Sequence, residues 1–319
     1  MDVPEPMLAR TVTTLPVGEG LLYEPKWDGF RTFVATGPAR IFSKSHRPVN
    51  RQWPELVKVL ESLPGGLLLD GEVVCWLDGG LNFDALLRRN VAGRDRARAL
   101  ARAEPAHFVA FDLLRMDGHD LSRRSLAYRR ARLEEVFDAV TDPHLDLVWQ
   151  TDDPATAREW FEGLRGVGIE GLVIKDSRRA YSPGRRRWDK LKSRLTTEAI
   201  VGGVVGSVHM PRALLLGRWK PEVDKLVLVG RTTDLDGHQQ AVIADLVHKA
   251  GSDHPWPPTY TPTWGADRAP YSRVRPELVV EVEPDVAVSH GRWRHPVKYI
   301  RPRPDVQLGE VPTGLDLER

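Results

Sequence analysis

Hydrophobic positions along this chain run in short alternating or continuous blocks more often than they recur at helical spacing. Residues 21–24 and 30–42 have the texture of short strands, broken at 36–40 by the turn sequence TGPAR. GGLLLDGEVVCWL (65–77) is a continuous apolar run interrupted only by Asp70-Gly71-Glu72. HFVAFDLLRMDG (107–118) reads as a strand entering a turn, and GIEGLVIKD (168–176) as a further strand. Helical spacing predicts helices over 53–62, where Trp53, Leu56, Val57 and Leu60 share a face, over 125–140, and over Thr156–Leu164.

The texture changes after Arg194. TTEAIVGGVVGSV, ALLLGRWK, KLVLVGRTT and ELVVEVEPDV are short runs separated by turn residues, one helix is expected over Gly237–Ala250, and the Pro-rich stretch 252–270 reads as a loop. About five strands and one helix in the last third predict a small β-barrel of the OB type. The expected fold class is α+β: antiparallel sheets with flanking helices over 1–195, then an OB-fold β-barrel over 196–319.

Length agrees with this division, since 319 residues suit two cores better than one. The 41% hydrophobic and 28% charged residues are those of a soluble globular protein. No segment approaches the roughly 18 apolar residues that span a bilayer. The N-terminus MDVPEPMLAR lacks the charged and apolar regions of an export signal, so a cytoplasmic location is expected. The single cysteine, Cys75, allows no internal disulfide, supports no Cys/His zinc site and reads as a small buried hydrophobe.

The net charge is only +2, yet the arginines are clustered at 88–102, 178–194 and 291–303. The Arg/Ala pattern of the first cluster reads as an exposed helix, equally suited to solvent and to phosphate. The other two are interleaved with Trp, Tyr and Pro and favour phosphate contact.

YEPKWDGFR (23–31) places Lys26 between Glu24 and Asp28. Such a lysine is either a surface charge or a nucleophile. An ammonium cannot attack, so its pKa must fall from about 10.4 or a proton must leave during attack. A nucleoside triphosphate is a fitting electrophile. The chemistry would then need carboxylates for a divalent metal, cations for the phosphates and an aromatic face for the base. Glu72, Glu170, Lys190, Lys192 and Phe111 are available, with Lys190 and Lys192 on one face of a strand. Each of these signals is weak alone; their order and spacing carry the joint signal.

In that order the motifs resemble the covalent nucleotidyltransferase superfamily, and within it ATP-dependent DNA ligases. The likeness spans nearly the whole chain and is strongest to bacterial ligases of the C and D types. With no polymerase or nuclease segment, the chain looks most like the stand-alone actinobacterial ligase C type. EPKWDGFR resembles the first motif, implying that Lys26 is adenylylated, that Glu24 meets the adenine amino edge and that Arg31 meets the ribose. FSKSHRPVN resembles the next, with Ser43 and Arg47 in place. LDGEVV implies Glu72 and FVAFDLLRMDG implies Phe111 stacked on adenine. EGLVIKD implies Glu170 at the metal and Lys175 near the phosphates, and WDKLK implies Lys190 and Lys192 at the α-phosphate.

Two departures from the family pattern stand out. The connector before WDKLK is short, which leaves open which of Arg185, Arg186 and Arg187 takes a phosphate. The sixth motif is matched only by RPRPDVQ, with Arg301, Arg303 and Asp305 but Val306 where a lysine is expected.

The resemblance implies an adenylation (nucleotidyltransferase) domain followed by the OB-fold. The cofactors would be ATP as AMP donor and Mg²⁺, with Mn²⁺ as a substitute, and Glu72 and Glu170 would serve as metal ligands. It also implies nicked double-stranded DNA as substrate, a repair primase-polymerase as partner, a monomer, and location at the nucleoid in DNA repair. The nearest rival is an RNA ligase or a capping-type nucleotidyltransferase. A rival of another class is a non-catalytic OB-type nucleic-acid-binding protein.

Overall fold

The computed structural model describes residues 3–193, 196–261, 267–284, 288–289 and 291–315. The chain divides into two compact units, Met1–Ser193 and Arg194–Arg319. Among the described residues no helix is long and apolar enough to cross a membrane.

The first unit contains two sheets. In one, β1 (Leu8–Val12), β8 (Arg186–Lys192), β7 (Gly171–Asp176) and β2 (Leu21–Pro25) lie side by side in that order. β1 runs parallel to β8 and the other pairs are antiparallel. The other sheet has the order β4 (Arg40–Ser43), β3 (Phe30–Ala35), β5 (Leu68–Leu77), β6 (Ala106–Met116), with the short strands Gly80–Leu81, His119–Asp120 and Leu145–Leu147 at its margins.

Period-two alternation decides what each sheet buries. One face of the larger sheet offers Phe30, Val34, Leu69, Val73 and Phe108 to helices α1 (Pro54–Leu60), α2 (Phe83–Asn90) and α4 (Leu126–Phe137). Tyr23, Leu172, Ile174 and Leu191, on one face of the smaller sheet, pack on α5 (Pro154–Gly163). The remaining two faces meet each other through Phe33, Ala35, Leu68, Leu114, Tyr181 and Trp188. The candidate chemistry lies between these last two faces.

In the second unit β11 (Lys225–Arg231), β10 (Met210–Lys220), β9 (Thr197–Ser207), β12 (Ser272–Glu283) and β13 (Lys298–Pro302) form one antiparallel sheet in that order. Its two edges are joined by a parallel bridge between Thr232 and Val297, where Val297 N–H donates to Arg231 O (2.9 Å) and Thr233 N–H to Val297 O (2.8 Å). The sheet therefore curls into a five-stranded barrel, filled by Val201, Leu214, Leu216, Val280 and Tyr299. Helix α6 (Gly237–Ala244) comes between the third and fourth strands in sequence, its start fixed by a capping box of Asp236 and Gln239.

Some boundaries differ from the sequence reading. α6 stops at Ala244, not Ala250, because residues 248–250 leave to pair with β12, where Arg275 N–H donates to His248 O (2.8 Å) and Ala250 N–H to Arg273 O (3.0 Å). Cross-strand pairing outcompetes further helix there. α4 ends at Phe137, short of the Thr-Asp-Pro turn at 141–143. The stretch 252–270 is not all loop, since Thr259–Tyr260 pairs with Ala269–Pro270.

The arginines at 88–102 do not form one exposed helix. They divide between α2 and α3 (Arg94–Ala103), and Arg89 is 1% exposed. Its guanidinium grips Glu55 (2.6 Å) and donates to Gln52 O (2.8 Å) while lying over the Trp53 ring. Cys75 is buried, and burial pushes its thiol up to about 11, an inert hydrophobe as its surroundings in the sequence suggested.

Candidate active site

Backbone pairing brings Lys26 to Glu170. Lys26 N–H donates to Gly171 O (2.8 Å), and Glu170 N–H donates back to Lys26 O (3.0 Å). With the main chains locked in this way, the Lys26 ammonium donates to the Glu170 carboxylate across a separation of 144 residues. Gly171, at φ +147°, lets β7 lie close against β8, since a Cβ there would fall 1.9 Å from Leu191 O.

Burial pushes the Lys26 amine down, but Glu170, Asp28 and Glu72 outweigh it and hold the amine above the ordinary lysine value. Lys26 is thus an ammonium at rest. Of the two routes to a nucleophile set out from the sequence, a standing depression of the pKa is not what this environment provides. A nucleophilic role would take the other route, with the proton leaving during attack.

Glu24 precedes Lys26 by two residues and faces the space between the sheets, opposite Val173 on β7. It is 2% exposed. One carboxylate oxygen meets Lys175 Nζ at 2.6 Å and the other accepts from Gln150 Nε2 at 2.7 Å. Lys175 also donates to Phe111 O (3.3 Å) and lies over the rings of Phe111 (4.6 Å) and Trp188 (4.4 Å). Lys175 is therefore sealed beside Glu24, with no free end among the described residues to offer a phosphate.

Arg31 projects from β3 opposite Glu72 on β5. Its fork closes on Asp70, with Nε to Oδ1 at 3.0 Å and Nη2 to Oδ2 at 2.6 Å. Its other end donates to Met7 O (2.6 Å). Tyr181 Oη donates to Asp70 Oδ2 (2.8 Å) and accepts the Met7 N–H (2.9 Å). The guanidinium lies over Phe111 and Trp188, whose rings meet edge-on at 5.9 Å. Phe111 is half-buried and packs against both hydrophobic clusters beside it.

Lys190 lies opposite Val173, which is itself opposite Glu24, so Glu24, Val173 and Lys190 form a row across three strands on one face. Lys192 is two residues further along that face, while Leu191 between them is buried on the other. The structure thus brings Lys26, Glu24, Arg31, Glu72, Phe111, Glu170, Lys175, Lys190 and Lys192 to one inter-sheet region.

The other candidate arginines of the first unit are exposed. Arg47 is exposed at the end of a turn closed by its own N–H to Ser43 Oγ (3.1 Å). Arg185, Arg186 and Arg187 are exposed, and Arg186 donates to Ala9 O (3.1 Å).

In the second unit Arg301 pairs with Glu281 (2.8 Å), and Arg303 forks onto Asp305 (2.8 and 2.7 Å) with Glu281 and Glu198 at 3.6 and 3.5 Å. Val306, in the place of the expected lysine, packs on the apolar cluster of Ile200, Leu215 and Val279.

Sequence reasoning missed Gln150, Asp70, Tyr181 and Trp188. Asp70 had a signal, as the acidic interruption of an apolar strand. Gln150 had none.

A family model described as an ATP dependent DNA ligase domain matches residues 6–192. DNA ligase C of Mycobacterium tuberculosis is 34% identical over 94% of this chain and 90% of that protein. DNA ligase C2 of Mycolicibacterium smegmatis is 33% identical over 96% and 93%. Among solved structures, mycobacterial DNA ligase D complexed with ATP and MES superimposes with a TM-score of 0.65 at 29% identity, covering 97% of this chain and 98% of that one.

Proposed function

The chain belongs to the ATP-dependent DNA ligase family, and on that premise we propose that Lys26 is the residue that carries AMP from ATP to the DNA end. The single observation that supports this is the Lys26–Glu170 pair, set among Asp28 and Glu72, with Lys190 and Lys192 on the strand next to β7. In the family's reaction a lysine bonds to the α-phosphorus of ATP and pyrophosphate leaves. The AMP then passes to a 5′-phosphate, and a 3′-hydroxyl attacks that activated end, releasing AMP and sealing the nick.

Here Glu24 would face the base, Phe111 would stack on it, Arg31 would approach the sugar, and Lys190 and Lys192 would neutralise the α-phosphate. The tight hold of Lys175 on Glu24 supports a role for it at the base end of the site, where it would fix a carboxylate.

Glu170 and Glu72 fit Mg²⁺, a hard cation that binds one or two carboxylates together with substrate phosphates. No group of three potential ligands stands together among the described residues. Mg²⁺ bound there supplies charge neutralisation, and Mn²⁺ has the same ligand preferences. Carboxylates engaged in this way would hold the Lys26 proton less strongly.

For the second unit we infer an OB-fold, supported by the strand order, the parallel closure at Thr232 and Val297, and a helix between the third and fourth strands. The two units would correspond to an adenylation domain over 1–195 and an OB domain over 196–319. Nicked duplex DNA would be bound through phosphates, without base readout.

The test is intact mass after incubation with ATP and Mg²⁺, followed by a nick-sealing gel. We expect one added AMP, absent in Lys26→Ala. A GMP adduct without an AMP adduct, or an AMP adduct that survives Lys26→Ala, would refute the reading.

A further inference from the structure

Gln150 is held from two sides. Val148 N–H donates to Ala110 O (2.9 Å) on β6, and Thr151 pairs with Tyr23 on β2 through both backbone bonds (2.8 and 3.0 Å). Gln150, one of the two residues between them, is placed beside Glu24 by the main chain, before any side-chain contact is made. Gln150 Nε2 then donates to Glu24 Oε1 at 2.7 Å.

This contact settles the orientation of the amide. An ionised carboxylate only accepts, so the nitrogen of Gln150 must face Glu24. Lys175, itself buried, occupies the other oxygen of Glu24 at 2.6 Å. The Gln150 carbonyl oxygen is left over, half-buried and without a protein donor among the described residues. Glu24 and Gln150 together form an edge whose open positions are lone pairs. Such an edge suits a group that donates twice, and it opposes one that presents lone pairs of its own.

We propose that Gln150 is the second acceptor of the purine-reading edge, and that with Glu24 it selects a 6-amino over a 6-oxo purine triphosphate. The proposal rests on the reading of Glu24 as the residue facing the base. A 6-amino group can give one hydrogen to Glu24 and one to the Gln150 carbonyl. A 6-oxo group turns its lone pairs on both, and neither protein acceptor can rotate away, because Lys175 holds one and Glu24 holds the other. Sites built to bond an N–H reject analogues lacking it by factors on the order of 10⁴. A pocket of apolar walls alone would discriminate far less.

The experiment compares ATP with inosine triphosphate, whose base carries a 6-oxo group in place of adenine's 6-amino group. The readout is the rate of lysyl-nucleotide formation, by intact mass, across nucleotide concentrations. In Gln150→Leu we expect the ATP-over-ITP ratio of kcat/KM to fall roughly tenfold or more, mostly through a higher KM for ATP. Gln150→Met, which keeps the side-chain length, should do the same, and both should keep the wild-type melting temperature within a few degrees.

A purely packing role would slow both nucleotides alike. An unchanged ratio in folded Gln150→Leu and Gln150→Met overturns the proposal. Glu24→Gln separates this from failure of the underlying reading: if it too leaves the ratio unchanged, Glu24 does not face the base. If it collapses the ratio while both Gln150 variants keep it, Glu24 reads the base alone.

Discussion

The Lys175 ammonium and the Glu24 carboxylate meet at 2.6 Å with side chains only 1% and 3% exposed. They stand on neighbouring strands, Glu24 opposite Val173 and Lys175 opposite Leu22, a diagonal of two residues along the β2–β7 ladder. Two charges withdrawn this far from water are tolerable only together, since each is the other's principal compensation.

Lys175→Met should therefore cost about 3–5 kcal/mol of folding stability, because it strands the Glu24 charge. Adding Glu24→Gln should restore more than half of that loss while leaving lysyl-AMP formation impaired. Urea denaturation and intact mass measure the two effects separately. Simple additivity of the two single losses would show that the pair is not coupled.

The pH behaviour of Lys26 follows from its raised pKa. A group raised on folding stabilises the native state below its ordinary value, near 10.5, and loses that contribution as pH climbs through the raised value. Without nucleotide, modification of Lys26 by a neutral acylating reagent should therefore have its midpoint above that of a free lysine. Glu170→Gln removes the ion pair and leaves burial pushing the amine down against Asp28 and Glu72 alone, so the midpoint should fall. Peptide mass mapping against pH reads it, and a midpoint that stays put in Glu170→Gln would mean that another group holds the proton.

Much of this site was legible because strand periodicity is strict. Two lysines two apart in WDKLK had to share a face, and they do, with Leu191 buried between them on the other side. What pairing adds was not legible. Gln150 reaches Glu24 across 126 residues and Tyr181 reaches Asp70 across 111, and nothing local to any of them announces the partner. The edge strand β1 escaped because LARTV alternates weakly and owes its strand to parallel pairing with β8. The sequence pattern marks Arg89 as exposed because its partners, Glu55 and Gln52, lie on the preceding helix and its approach.

Gly29 illustrates a residue whose presence was legible and whose reason was not. In KWDG it reads as half of a turn. In the structure a Cβ there would fall 2.2 Å from Val73 O and 2.9 Å from Glu72 Cγ, so β3 and β5 approach more closely than any side chain allows. Gly29→Ala should cost about 1–3 kcal/mol by overpacking and should displace Glu72 from the Lys26 environment. Thermal unfolding together with the lysyl-AMP assay checks it; a variant with wild-type stability and adenylylation would show that β5 shifts without penalty.

Arg303 poses a sharper choice. By resemblance it belongs to a motif that handles phosphate, yet its fork is closed on Asp305 and shadowed by Glu281 and Glu198. Burial pushes the Asp305 carboxyl up, but Arg303 and Arg301 outweigh it and hold it below the usual aspartate value. A carboxyl lowered in this way stabilises the fold above the ordinary aspartate pKa and loses that contribution as pH falls through the depressed one. Arg303→Met should therefore lower stability by about 3 kcal/mol at neutral pH, the cost of leaving a half-buried carboxylate cluster without its cation. The deficit should narrow in acid as the carboxyls protonate. Urea denaturation of wild type and variant from pH 7 downward measures both. A variant as stable as wild type that fails only to form lysyl-AMP would return Arg303 to the phosphate. The expected result makes it the clasp of the last barrel strand, consistent with Val306 packed into an apolar cluster where the family pattern has a lysine.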